Sequence, residues 1–285
     1  MLKIDAHQHF WNIETLHYPW LSSELGILYR TYEPTDLEPH ITACQVQGTV
    51  VVQAAHDLRE TAWLIELAQQ TPWIMGVVGW VGLTADDLEA QLSGFLPSGM
   101  LCGVRHQVHD ELDPEWALQA NVVRGLKVLA QHGLPYDLLV RPPHLKHLPR
   151  LFEHVPDMRW IVDHCAKPEI AAGTLEPWLS DMRAVAHYPN VYCKVSGLIT
   201  EADHATWTTT DIRPYVEAVL ELFGPSRLLW GSDWPVCLLG GSYERVHSLV
   251  NELIAELTPT EQAAIWGGTA RSVYNLGGTD GAIEQ

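Results

Sequence analysis

Short apolar runs alternate along the chain with longer stretches whose apolar residues recur every three or four positions. The runs are Leu2 to Ala6, Thr49 to Ala55 (TVVVQAA), Trp73 to Val81 (WIMGVVGWV), Leu101 to Arg105 (LCGVR), Tyr136 to Val140 (YDLLV), Arg159 to Val162 (RWIV), Val191 to Val195 (VYCKV) and Leu228 to Trp230 (LLW). Near-continuous runs of this length predict strands buried on both faces, as in a parallel sheet. Between them, Leu58, Ala62 and Ile65 share a helical face behind Asp57 and Glu60, a variant of the capping box. Thr84 and Asp87 open a helix striped by Leu88, Leu92 and Phe95. Asp113 followed by Pro114 starts another through Trp116, Ala120 and Val123, which Gly133 ends. Three further stripes are Leu145, Leu148, Phe152 and Val155; Ile212, Val216, Val219 and Phe223; and Val246, Leu249, Leu253 and Leu257. Eight strand-helix units in roughly 250 residues predict the α/β class, a closed (β/α)8 TIM barrel. An open doubly wound sheet satisfies the same alternation. No linker, low-complexity segment or solenoid repeat divides the chain, so a single domain over 1–285 is expected.

With 285 residues, 47% of them hydrophobic, the chain can bury a large core. Its 35 acidic and 17 basic residues give a net charge of -18, which argues against nucleic acid or an anionic membrane as partner and for a small-molecule substrate. An oligomer is neither required nor excluded by that charge. The five cysteines are odd in number and form no C-x-x-C, so they read as buried thiols in a reducing compartment. Lys3, Asp5 and His7 leave no apolar leader at the start, and no later run approaches ~18 apolar residues. A soluble, cytoplasmic protein is the expectation.

Polar residues gather just after the runs, where barrel enzymes place their chemistry. They are His7 and His9; Gln53 and His56; Arg105, His106 and His109; Arg141; Asp163, His164 and Lys167; Lys194 and Ser196; Ser232 and Asp233. His7 and His9 stand two apart, so on a strand their imidazoles project together. With 15 histidines in the chain, chance alone yields on the order of one H-x-H pair. Taken alone, Asp233 reads equally as a helix cap and His164 as a histidine satisfied by its loop. Four such groups at strand ends read as a site. Cys165 beside His164 reads as a packing thiol, and Lys194 as a Schiff-base lysine or a salt link at the rim.

IDAHQHFW, GVRH, DHCAKP, KVSGL, GSDWPV and IWGGTARSVYNL, in that order along the chain, resemble the amidohydrolase superfamily. More narrowly they resemble its sugar-lactonase branch, the fuconolactonase, galactonolactonase and rhamnonolactonase group. The resemblance implies that His7 and His9 are the first-strand pair, His164 the sixth-strand histidine and Asp233 the eighth-strand aspartate. Metal-dependent relatives carry a bridging lysine or glutamate on the fourth strand and a histidine on the fifth. Here those units read GVRHQVH and DLLVRP, without evident ligands for two metals. A single optional Zn2+ or other divalent ion on His7, His9 and Asp233, with or without His164, is chemically reasonable. The resemblance points to catalysis with no required cofactor.

Opening a lactone needs an activated water, oxyanion stabilisation and a proton for the ring oxygen. Asp233 is the expected general base, its pKa raised by partial burial. His7, His9, His164 and Arg105 are the expected carbonyl donors, and His109 or His164 the acid for the leaving alkoxide. Gln53, Arg105, His106, Arg141, Lys194 and Ser196 are available to sugar hydroxyls. Trp20 and Trp234 are available to the apolar face of the ring, as are Trp11 and Trp80, Trp80 with a stronger claim to core packing. The expected substrate is L-fuconolactone or a related L-galactono- or L-rhamnono-lactone. A zinc-dependent decarboxylase of the same superfamily and a noncatalytic barrel that binds a sugar acid are the alternatives.

Overall fold

A computed structural model of the chain describes residues 1–277. Eight strands follow in chain order: β1 (Ile4–Gln8), β2 (Gly48–Val52), β3 (Ile74–Gly79), β4 (Leu101–His106), β5 (Tyr136–Leu138), β6 (Trp160–Val162), β7 (Val191–Val195) and β8 (Leu228–Trp230). Each pairs in parallel with the next, giving a sheet in the order β1 to β8. The sheet closes at the segment after β8. There the Asp233 amide donates to the His7 carbonyl (2.8 Å) and the His9 amide to the Trp234 carbonyl (2.7 Å). Closure is therefore made by the residues that carry the candidate chemistry. Asp5 pins the same seam: fully buried, its Oδ1 accepts from the amides of Ser232 (2.8 Å) and His7 (3.1 Å).

The barrel settles the open-sheet alternative, and its strands lie within the apolar runs or shifted by a few residues. β1 runs two residues further than Ala6, so His7 lies within it. Around the barrel, helices bury the stripes over Ile212–Phe223 and Val246–Leu253 as expected. Three expectations change. The face of the Leu58–Gln70 helix that packs inward carries Thr61, Leu64, Ile65 and Ala68, whereas Ala62 is exposed. Glu60 does not close a capping box; it is buried and accepts from the amides of Ala54 and Ala55, because those donors in the preceding loop lie closer than the helix start. The helix expected from Asp113 begins only at Ala120, because Gln119 adopts an extended conformation after a short turn over Trp116–Leu118.

Two apolar layers result. The outer one packs helices on strands. The inner one joins Ile4, Ala6, Val50, Val52, Val78, Ile161 and Leu229 to Ala270, Val273, Tyr274 and Leu276, so the C-terminal helix Thr269–Val273 and its extension plug one end of the barrel. No helix among the described residues is long and apolar enough to cross a membrane.

Candidate active site

At the end of the barrel where the strands finish, four side chains converge. His7 and His9 approach through their Nε2 atoms at 3.1 Å. Asp233 Oδ1 stands 3.9 Å from His7 Nε2, 3.4 Å from His9 Nε2 and 3.8 Å from His164 Nε2. All four residues are at most 4% exposed. His9 Nδ1 lies 2.7 Å from the Val52 carbonyl, which only accepts. Nδ1 therefore carries the hydrogen, and neutral His9 turns its Nε2 lone pair toward Asp233. His164 is held by Ser196 Oγ at Nδ1 (2.8 Å).

The backbone pays heavily to place these groups. His164, Cys165, Ala166 and Lys167 all have positive φ, 53°, 49°, 61° and 52°, and Asp233 has 57°. Left-handed backbone costs roughly 1–2 kcal/mol per residue with a side chain, and such outliers cluster at functional sites. The turn is tied by Lys167 N–H to the His164 carbonyl (2.8 Å) and by Trp178 Nε1 to the Cys165 carbonyl (2.7 Å). Gly197, with φ +60°, makes room beside it: a Cβ there would sit 2.6 Å from His164 Nδ1 and 3.1 Å from Asp233 Oδ2.

Beneath the cluster lies a buried ionic layer. Lys194 Nζ contacts Asp137 Oδ2 (2.5 Å), Asp163 Oδ1 (3.0 Å) and His7 Nδ1 (3.1 Å). Arg105 Nη1 reaches Asp163 Oδ2 (3.1 Å) and His7 Nε2 (3.2 Å), and its Nη2 donates to the Gln53 carbonyl. Tyr274 adds its hydroxyl to both oxygens of Asp137 at 2.9 and 2.7 Å. Arg105, Asp137, Asp163 and Lys194 balance to zero charge, as buried ions must. Lys194 is thus a fully buried salt link rather than a rim residue. Asp137 and Tyr274 went unmarked in the sequence, although for Asp137 a single charge in each of the runs LCGVR, YDLLV and VYCKV is a readable signal.

Burial first, then Lys194, holds the His7 pKa well below 6.5; burial likewise lowers His9 and His164. For Asp233 burial pushes the pKa up, but the polar groups around it, His164 foremost, outweigh it and leave it below the ordinary 3.8. The expected upward shift is therefore reversed. Burial, then Lys167, Arg141 and Arg105, take His109 down to about 3, so it is neutral at pH 7 and a poor acid for a leaving alkoxide. Neutral His9, with its hydrogen on Nδ1, offers an acceptor rather than an oxyanion donor.

A cavity of about 210 Å³ opens over the cluster, bordered by His9, Arg105, His164 and Asp233 and by Trp20, Gln107, His109, Asp110, Arg141 and Lys167. It is smaller than the roughly 300–1,000 Å³ of drug-sized sites, which suits a single sugar ring. Trp20 is fixed there by Nε1 donating to the Ala54 carbonyl (2.8 Å). Gln53, His106 and Trp234 do not border it. Gln53 is fully buried with its amide on the Arg105 carbonyl (3.2 Å). His106 stacks on Trp116 at 4.2 Å and is held by Trp80 Nε1 (3.2 Å) and Glu111 (2.7 Å). Trp234 packs edge-on against Phe10 and Tyr32. His106 follows Arg105 within β4, where successive residues point to opposite sides, and Trp234 follows the left-handed Asp233 and packs back among the aromatics.

His7, His164 and Asp233 present ligand atoms within 4.8 Å of one another, with His9 Nε2 beside them. Tetrahedral zinc bound at about 2.0–2.1 Å needs donors roughly 3.3 Å apart; the His7–His9 pair at 3.1 Å and the contacts of Asp233 at 3.4–3.9 Å lie near this, within a set that spreads over at most 4.8 Å. The residues present are compatible with one divalent ion.

A family profile described as amidohydrolase matches residues 4–276. The L-fucono-1,5-lactonase of Burkholderia multivorans (strain ATCC 17616 / 249) is 39% identical over 287 aligned positions, 96% of each chain. That of Burkholderia ambifaria is 37% identical over 278 positions, again 96% of each chain. A crystal structure of an amidohydrolase from Burkholderia multivorans with bound zinc superposes with a TM-score of 0.93 at 38% identity, covering 97% of this chain and 100% of that one. A match over nearly the whole length, together with the histidine pair, His164 and Asp233 gathered at the barrel mouth, establishes that this chain belongs to the amidohydrolase family.

Proposed function

We propose that the protein is a hydrolase that opens an uncharged sugar lactone, with L-fucono-1,5-lactone as the first substrate to test, and that it needs no metal to do so. The observation that carries this reading is the pair of acceptors on the cavity wall, His9 Nε2 and Asp233 Oδ1, 3.4 Å apart. A water donating its hydrogens to these two keeps a lone pair for the lactone carbonyl carbon. Asp233 takes one proton as the water oxygen bonds to that carbon. The charge that develops on the carbonyl oxygen meets the guanidinium of Arg105, which borders the cavity. An oxyanion donor of this kind is worth about 3 kcal/mol. Collapse of the tetrahedral centre breaks the bond to the ring oxygen, and the Asp233 proton passes to that oxygen. The product hydroxy acid then ionises to an aldonate. Because the Asp233 pKa is low, it is a modest base, and much of the rate must come from the oxyanion contacts.

A divalent ion bound at His7, His9, His164 and Asp233 would polarise the carbonyl and acidify water. Arg105, against His7 and at the cavity wall, places a guanidinium at the same mouth without one. We read the chain as a single domain over 1–285 working in the cytoplasm on a small molecule. The lactonase relatives at 37% and 39% identity favour this reading over a decarboxylase.

The test is a panel of L-fucono-, L-galactono- and L-rhamnono-lactones, followed by proton release at neutral pH before and after exhaustive chelation. The expected result is fastest opening of the L-fucono-1,5-lactone, retained after chelation. Opening of no lactone would remove the functional reading, and a complete loss on chelation that zinc restores would remove its metal-free part.

A further inference from the structure

We propose that Glu201 sets the preference of the cavity for uncharged lactones, by holding and partly neutralising the two cations on its wall. The proposal rests on the lactonase reading above. Glu201 lies in the loop after β7, and its side chain is 15% exposed. Its Oε1 is 2.7 Å from Lys167 Nζ and its Oε2 3.4 Å from Arg141 Nη1. Lys167 belongs to the left-handed turn after β6, and Arg141 follows β5. One carboxylate therefore ties three consecutive loops, and the Glu201 carbonyl adds a bond from the Ala171 amide (2.9 Å). Both cations border the cavity, whereas Glu201 does not.

Arg105, the remaining cation at the wall, is already paired with Asp163. Lys167 and Arg141 are thus the cations that attract an incoming anion, against the carboxylates Asp110 and Asp233 on the same wall. With Glu201 between them they can donate hydrogen bonds to hydroxyl groups while presenting one net positive charge rather than two. A lactone that carries a carboxylate gains correspondingly less, and the anionic product of hydrolysis is held less tightly. Glu201 is a positioning residue: it acts through Lys167 and Arg141 and touches no reacting atom. Removing one unit charge several ångström from a bound carboxylate in a partly solvated site changes its affinity on the order of tenfold.

The experiment compares wild type with Glu201→Gln on a neutral aldonolactone and on a lactone of the same ring size bearing a carboxylate, with the aldonate product as inhibitor. The expected result is a roughly tenfold rise in the carboxylate-to-neutral ratio of kcat/KM, carried by KM, and a similar tightening of aldonate inhibition. Glu201→Asp should return the ratio toward wild type, and adding Lys167→Met to Glu201→Gln should cancel most of the gain. A Glu201→Gln enzyme that loses or keeps both activities in equal proportion, with aldonate inhibition unchanged, overturns the proposal. If wild type opens no lactone, the functional reading fails, and calorimetric binding of a six-carbon sugar dicarboxylate still decides the charge argument: no tightening in Glu201→Gln overturns it. Should that variant not fold, Arg141→Gln reads the same effect with opposite sign, weakening aldonate inhibition several-fold more than it raises the neutral-lactone KM; equal changes overturn it.

Discussion

A backbone carbonyl decides what His9 can do. With Nδ1–H committed to Val52, the ring faces the cavity as an acceptor, and burial keeps it neutral at pH values where an exposed imidazole would protonate. The folded pKa values of His9 and His164 lie below 6.5 and that of Asp233 below 3.8, so protonation of each waits for a pH lower than its ordinary value. Activity should therefore pass through 6.5 without an inflection and fall only at distinctly more acid pH. A kcat/KM profile for lactone opening checks this, and an acid limb centred at the ordinary histidine value would contradict it. Gly197 is equally decisive. In Gly197→Ala the new methyl presses on His164 and Asp233 at a left-handed φ. The expected cost is about a hundredfold in kcat/KM with the circular dichroism unchanged; near wild-type activity would show that the two side chains tolerate displacement. At this scale His7, His9, His164 and Asp233 were legible because each follows an apolar run. Gln53, His106 and Trp234 lie at or near the ends of runs as well, but the direction of a side chain depends on where the strand stops and on the backbone turn that follows it.

Strands were more legible than helices. VYCKV and LLW coincide with β7 and β8, since a buried parallel strand must be apolar throughout. The inward charges of β4, β5 and β7 hid within that rule, because a single polar residue in a short run looks like its edge. Register brings Arg105 level with Asp137, and Lys194 bridges Asp137 to Asp163 across the barrel interior. Replacing Lys194 with Met leaves Asp137 without a cation in a dry interior and Asp163 with Arg105 alone. We expect a stability loss of about 3–5 kcal/mol by denaturant titration; a loss under about 1 kcal/mol would mean that the layer is not needed to hold the fold. The helices misread at Ala62 and Gln119 share one cause. Local periodicity does not fix which face the barrel claims, nor where the preceding loop lets the helix begin.

For the molecule as a whole, a chain of net charge -18 gathers Arg105, Arg141 and Lys167 at its cavity, beside Asp110 and Asp233. Excess negative charge over the chain thus gives no guide to the charge at the site, which three loops and one carboxylate set locally. Closure of the barrel is the event that brings residues from opposite ends of the sequence together, through the Asp233 amide on the His7 carbonyl. The proposed reaction depends on Asp233 as the group that moves the proton. The most direct measurement is the rate at which Asp233→Asn, confirmed as folded by its melting temperature, opens L-fucono-1,5-lactone beside wild type. A fall in kcat of at least about a hundredfold is predicted, and a variant that retains near wild-type turnover would contradict it.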